Sequence, residues 1–247
     1  MTSRPLVLAH RGANRQAPEN TLAAFAAARA ANADGVELDV RRTADDVLVV
    51  HHDALIEGFG VIRARTHAEL GALHPHVPTL HAALEELRGL LVNVEVKCLP
   101  HEPDADPDRV VARAAVGVVR ALGMETSVIV SSFDLDAVDV VRAHAPELVT
   151  AWLTFGQSVA DAAPIAARHG HRWLHPDRDQ VARDPEAAMV AAHAAGVLVD
   201  VWTVNDPEEM RRFVAAGVDG LITDVPDVAR AAIADSQGTT SVSDSGS

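Results

Sequence analysis

The run Gly35-Val36-Glu37-Leu38-Asp39-Val40 sets two carboxylates two positions apart among aliphatic neighbours. In an extended strand alternate side chains share a face, so Val36, Leu38 and Val40 point one way and Glu37 and Asp39 the other. A second run, Val92-Asn93-Val94-Glu95-Val96-Lys97, repeats the pattern. Its valines share one face; Asn93, Glu95 and Lys97 share the opposite one. Like charges brought together in a protein interior repel and lose hydration. Cationic side chains can offset that, as Lys97 could for Glu95, or a divalent cation can. Three acidic oxygens suit one hard ion, Ca2+ or Mg2+, and this accounts for Glu37, Asp39 and Glu95 together.

His10-Arg11-Gly12 closes a short apolar run, and His51-His52-Asp53 closes another. Arg11 can grip a phosphate through parallel N–H groups. Imidazole is the side chain best suited to general acid–base work near neutral pH, and two of them at one mouth would form an acid–base pair. His51 and His52 face opposite ways in a regular strand, so at most one of them serves. The other histidines, among them His74, His76, His169 and His171, are expected at the surface.

These residues need a scaffold that brings strand ends together. The chain alternates β-rich runs with Ala-rich helical stretches. Strands are expected at 6–10, 35–40, 47–51, 91–96, 127–131, 149–154, 172–175, 197–204 and 220–223. Helices are expected at 20–33, 79–87, 107–122, 134–144, 159–169, 185–195, 207–216 and 225–234. Asp184-Pro185 and Asp206-Pro207 are helix starts, with a side-chain acceptor followed by proline in the first turn. Strand then helix about eight times in roughly 250 residues is the arithmetic of an α/β protein of the (β/α)8 TIM-barrel class. A doubly wound open sheet competes, but no G-x-G-x-x-G follows the first strand. Barrel sites are built at the C-terminal ends of strands, where His10 and Arg11 fall. Residues 53–77, rich in Gly, His and Pro, break the rhythm and read as a short insertion after the second barrel strand. The barrel is expected to span 1–235, with a disordered tail over 236–247, where Ser, Thr, Gly and Asp leave little to bury.

Composition narrows the function. The 247 residues carry 21 Lys+Arg against 35 Asp+Glu, a formal charge of −14, which argues against nucleic acid and anionic membrane surfaces as partners. One cysteine, Cys98, excludes an internal disulfide and a zinc site built on several thiolates. There is no tyrosine to act as nucleophile or acid. The longest apolar run near the N-terminus, Leu6–Ala9, is too short for a signal peptide, and no integral membrane segment is visible. The expected setting is cytoplasmic.

The order of motifs resembles one family. His10-Arg11-Gly12, Pro18-Glu19-Asn20-Thr21, Glu37-Leu38-Asp39-Val40, His52-Asp53, Pro78-Thr79-Leu80, Glu95-Val96-Lys97, Ser131-Ser132-Phe133, Trp202-Thr203-Val204-Asn205 and Gly217 to Asp224 follow as in glycerophosphodiester phosphodiesterases. The resemblance spans residues 6 to about 230. It implies a metal-dependent barrel hydrolase that cleaves glycerophosphodiesters to an alcohol and glycerol 3-phosphate. By position it places two catalytic histidines at His10 and His52, metal carboxylates at Glu37, Asp39 and Glu95, and phosphate contacts at Arg11 and Lys97. Trp202 takes the place of a substrate-lining tryptophan; a barrel-core role is the alternative. The chain departs from the pattern at Leu55 to Gly60, where an Arg-Thr-Thr-like stretch is usual, and at His81, where an acid is usual. The rival readings are a barrel hydrolase of lysophospholipids, which needs an apolar access surface, and a non-catalytic phosphodiester-binding protein, which would be expected to lack a histidine or carboxylate of the set. The insertion, with Phe59 its one aromatic residue, argues for a small polar alcohol.

Overall fold

Eight of the alternating runs become parallel strands: β1 (Leu6–His10), β2 (Gly35–Arg42), β3 (Leu91–Val96), β4 (Val128–Ser132), β5 (Val149–Thr154), β6 (Trp173–Pro176), β7 (Leu198–Val201) and β8 (Gly220–Thr223). This computed structural model describes residues 4–240. Each strand pairs with the next, and β1 also pairs with β8, so the sheet closes into a (β/α)8 barrel without an open edge. The β2–β3 register sets Asp39 opposite Glu95 and Glu37 opposite Asn93.

Helices α1 (Leu22–Ala30), α2 (Leu80–Glu86), α3 (Val110–Leu122), α4 (Leu135–His144), α5 (Val159–His169), α6 (Pro185–Ala194), α7 (Pro207–Ala216) and α8 (Pro226–Thr240) ring the barrel. Asp184 and Asp206 accept backbone N–H bonds at the starts of α6 and α7, each followed by proline. The outward valines of β2, β3 and β4 pack with Phe25 of α1, Leu84 of α2 and Val116 of α3. The barrel interior has an apolar floor of Ile129, Ala151 and Trp173, packed by Leu6, Leu91, Val149 and Leu198.

Three expectations need correction. The strand expected over 47–51 is Leu48–Val50, which pairs antiparallel with the end of β2 and is no part of the closed barrel. The insertion is more than a loop. It folds as a hairpin (Leu55–Ile56 with Gly60–Val61), a 3-10 turn (Ile62–Ala64) and a helix (His67–Leu73), over a small core of Ile56, Phe59, Ile62, Leu70 and Val77 against Val49. The helix starts on a reciprocal Thr66–Glu69 capping box; its apolar residues follow no single period because they span several turns. The disordered tail was expected from 236, but α8 continues to Thr240, since extending a docked helix by a turn costs far less than starting one. Residues 241–247 lie outside the described residues. A further short helix, Arg178–Ala182, follows β6.

Between the floor and the carboxylates the interior turns polar. Asn93, Ser131, His175 and Asp200 alternate with helix-facing Val94, Val130, Leu174 and Val199, so they point inward. All four are buried, and their side-chain N and O atoms find no hydrogen-bond partner among the described residues. The Asp200 carboxylate occupies the space that a side chain on Gly220 would fill. Burial, then the Asp219 charge, pushes its pKa well above the ordinary carboxyl range. A carboxyl that stays protonated in the folded chain but ionises in the unfolded one costs stability as pH rises above about 4. Asp200→Asn, neutral throughout, is therefore expected to raise the melting temperature by a few degrees at about pH 7.5 and to have little effect near pH 4. Calorimetry at the two pH values checks this; a less stable variant at the higher pH would mean that Asp200 is ionised and paired.

Candidate active site

The first βα turn is unusually tight. Arg11 and Gly12 follow β1 with φ of 56° and +83°, and a Cβ at position 12 would lie 2.7 Å from Ala24. Only glycine fits there. The turn aims the Arg11 backbone N–H at Glu37 Oε2 (3.0 Å) and sets the guanidinium beside Asp39 (Nε to Oδ2, 3.2 Å) and Glu19 (3.0 and 3.1 Å). Asn20 holds Asp39 from the same loop: its Nδ2 donates to Asp39 Oδ2 at 2.8 Å, and its Oδ1 accepts from the Asp39 backbone.

Oxygens of Glu37, Asp39 and Glu95 lie within 4.8 Å of one another, and all three side chains are buried. Lys97, just past β3, places Nζ 2.9 Å from Asp39 Oδ1 and 2.5 Å from Glu95 Oε1. Fully ionised, the three carboxylates would outnumber these two permanent cations by one charge. Burial, then the Asp39 charge, pushes Glu37 up to about 8. Burial raises Glu95 as well, against the pull of Lys97. For Asp39 burial is outweighed by Lys97 and Arg11, which hold its carboxyl below the ordinary range. An all-oxygen donor set whose full ionisation calls for one more positive charge fits a hard divalent cation.

Two imidazoles face this cluster. His10 Nδ1 donates to Asp224 Oδ1 (2.7 Å), and its Nε2 lies 4.0 Å from Glu37 Oε2. Asp224 is itself held by Asn14, Arg15 and Asn205. Burial disfavours the charged ring, but Asp224 and Glu37 outweigh it and raise the His10 pKa. His52 Nδ1 lies 2.7 Å from Asp53 Oδ1. Burial lowers its pKa, and the pull of Asp39 does not make up the difference. The two rings are therefore pushed in opposite directions.

His10, Arg11, Glu37, His52, Glu95, Lys97 and Trp202 line one cavity of about 180 Å3, with Phe133 and Leu153, at the C-terminal mouth of the barrel. Asp39 lies behind Arg11 and Lys97. His51 lines a different pocket, near Pro18 and His76. Strand alternation does not separate His51 from His52, because the strand ends at Val50. What positions His52 is Arg41: its buried Nε donates to the His52 carbonyl (2.7 Å), and its other nitrogens pair with Glu102 and Asp104.

A second, wider trough of about 480 Å3 adjoins the cavity, lined by Leu99, His101, Phe133, Trp152, Leu153, Thr154, Phe155, Gln157 and Trp202. Phe133 and Trp202 meet edge to face at 5.4 Å, and Phe155 is 75% exposed. Trp202 is half-buried, and its Nε1 donates to the His175 carbonyl at 2.8 Å. Apolar surface beside the site thus comes from the loops after β3, β4, β5 and β7 and not from the insertion, which lines no part of the trough and buries Ile56, Phe59, Ile62, Leu70 and Val77 in its own core while Leu55 and Leu73 stay exposed.

The eight candidate residues lie around this mouth, and several residues with no expected role hold them there. Asn20, Phe133 and Asp224 stood in the quoted motifs without a role. Arg41, Glu102 and Asp104 carried no local signal. His171 and His175, assigned to the surface, are buried.

The family model for the glycerophosphoryl diester phosphodiesterase family matches residues 10–228. A glycerophosphodiester phosphodiesterase of Caldanaerobacter subterraneus is 33% identical over 240 residues, covering 90% of this chain and 95% of that protein. A glycerophosphodiester phosphodiesterase structure from Parabacteroides distasonis matches with a TM-score of 0.83 at 27% identity, over 95% of this chain and 99% of that one. An Oleispira antarctica phosphodiesterase, solved in complex with the product sn-glycerol-3-phosphate, matches with a TM-score of 0.79 at 25% identity, over 94% and 97% of the two chains. With the match running from His10 at the end of β1 to beyond Asp224 after β8, the chain belongs to the glycerophosphoryl diester phosphodiesterase family.

Proposed function

We propose that the protein hydrolyses glycerophosphodiesters to an alcohol and glycerol 3-phosphate, using a bound divalent cation and a pair of histidines. The observation that carries this reading is one cavity lined by two imidazoles, two of three clustered carboxylates and two cationic side chains. Glu37, Asp39 and Glu95 would hold one Ca2+ or Mg2+, which when bound supplies positive charge against the phosphate oxygens. Arg11 and Lys97 add to that charge and orient the diester. His52, its pKa lowered, takes a proton from the nucleophile. His10, its pKa raised and its ring fixed by Asp224, donates a proton to the leaving oxygen. The complete residue set argues against a non-catalytic binder. The net charge of −14 and the lone buried Cys98 support a cytoplasmic protein with no nucleic-acid partner. No helix among the described residues is long and apolar enough to cross a membrane.

A second reading, hydrolysis of lysophospholipids, is favoured by one observation: the aromatic trough beside the cavity. It offers the acyl chain of such a substrate the apolar surface that the insertion does not. The test is release of glycerol 3-phosphate from glycerophosphoethanolamine and glycerophosphocholine, against release of choline or lysophosphatidic acid from lysophosphatidylcholine. The deacylated diesters are expected to be preferred, and glycerol 3-phosphate itself to be left intact. Preference for the long-chain substrate would transfer the assignment to the second reading; preference for a monoester would end both.

A further inference from the structure

On the outer layer, away from the barrel mouth, a second group of ligating side chains comes together. Asp139 lies in α4, His169 ends α5, and His171 follows the Gly170 turn. Asp139 Oδ2 is 2.8 Å from His169 Nδ1, and Asp139 Oδ1 is 3.1 Å from His171 Nε2. One ligand atom from each residue lies within 4.8 Å of the other two. Gly170 takes φ +80°, and Arg142 fills the place of any side chain there. That turn stacks the two imidazoles, 6.1 Å between centroids and 23° between planes.

His171 is the informative member. It is 2% exposed, and its Nε2 makes no well-aligned hydrogen bond despite the nearby carboxylate. Its Nδ1 lies 2.9 Å from the buried Thr150 hydroxyl on β5. With Nδ1–H donated to Thr150, the Nε2 lone pair faces Asp139. In that tautomer two acceptors oppose each other, and a metal ion between them resolves the conflict; in the other, the ring N–H faces Asp139 and a metal ion would displace that proton. Second-sphere bonds of this kind orient ligating histidines in metal sites. Ligand atoms around tetrahedral Zn2+ stand about 3.3 Å apart, given bond lengths near 2.0–2.1 Å; here each Asp139 oxygen stands 2.8 or 3.1 Å from one ring nitrogen, and one ligand atom from each residue falls within 4.8 Å of the other two.

We propose that Asp139, His169 and His171 form a second metal site, selective for borderline divalent ions such as Zn2+ or Co2+. Two imidazoles and one carboxylate suit that class, and the all-carboxylate cluster in the barrel suits a hard ion. A fourth position opens to solvent, because His169 and Asp139 are each about one-third exposed. Binding would tie α4 to the turn between α5 and β6, a brace on the fold rather than a catalytic centre.

The test titrates Co2+, then Zn2+, into full-length protein kept in saturating Mg2+. Wild type is expected to take up one equivalent with the intense visible absorption of four-coordinate Co2+, and Zn2+ is expected to raise its melting temperature by a few degrees. His169→Ala and Asp139→Asn, both at partly exposed positions, are expected to lose the band and the shift while keeping full hydrolytic activity. An equal band and stoichiometry in wild type and His169→Ala, or no Zn2+-dependent rise in the wild-type melting temperature, would overturn the proposal.

Discussion

His10→Ala is expected to lower turnover by about 10²–10⁴-fold, the range for a lost general acid or base, and His52→Ala by a similar factor. The two losses should differ in their pH dependence. Asp224 and Glu37 outweigh burial and raise the His10 pKa; burial lowers that of His52. A general base acts deprotonated, so the His52 limb is activity rising with pH. A general acid acts protonated, so the His10 limb is activity falling as pH rises further. His52→Ala should erase the acid limb of the kcat/KM profile and His10→Ala the alkaline limb. The double variant should lose little more than the worse single one, because groups that act as a unit are strongly non-additive. His51→Ala, which faces another pocket, should change little. Near-additive losses or exchanged limbs would reject this assignment of roles.

Chelation is expected to abolish turnover and to lower the melting temperature by about 5–10 °C relative to protein in a hundredfold excess of ion over Kd. Glu37, Asp39 and Glu95 are buried within one small cluster, and Arg11 and Lys97 balance only two of their three charges. Removing the cation leaves the phosphate oxygens with those two side chains alone and lets Glu37, whose pKa is pushed up to about 8, take up a proton. Adding back Ca2+ or Mg2+ should restore both activity and stability, and the better of the two names the resident ion. Glu37→Gln removes one ligand charge at constant shape. It should cost at least about 10²-fold in turnover, on the scale of a lost electrostatic contact to the transition state, and blunt the thermal response to metal. Full activity in protein shown to be metal-free would contradict this part of the proposal.

Local chemistry made part of this protein readable without its structure. The period of two in residues 35–40 and 91–96 is a property of any extended chain, so Glu37, Asp39 and Glu95 were bound to share the face opposite the valines. Asp184-Pro185 and Asp206-Pro207 act within one helical turn and could be read as helix starts for the same reason. The eightfold alternation of strand and helix then left few architectures, and the barrel among them carries its chemistry where His10 and Arg11 fall. The remainder depends on contacts between distant segments. Asp224 reaches His10 because β8 closes against β1, across 214 residues of sequence. Arg41 sets His52 by bridging to Glu102 and Asp104, a buried network with no spacing to announce it. His52 enters the cavity from the loop after a strand outside the barrel, so periodicity could not orient it. The aromatic trough draws on loops after four different strands, and His171 is buried by helices whose packing no local pattern specifies. Alternation and capping are settled among neighbours a few residues apart; barrel closure and loop docking are settled by register and packing over the whole chain, and only the tertiary structure decides those.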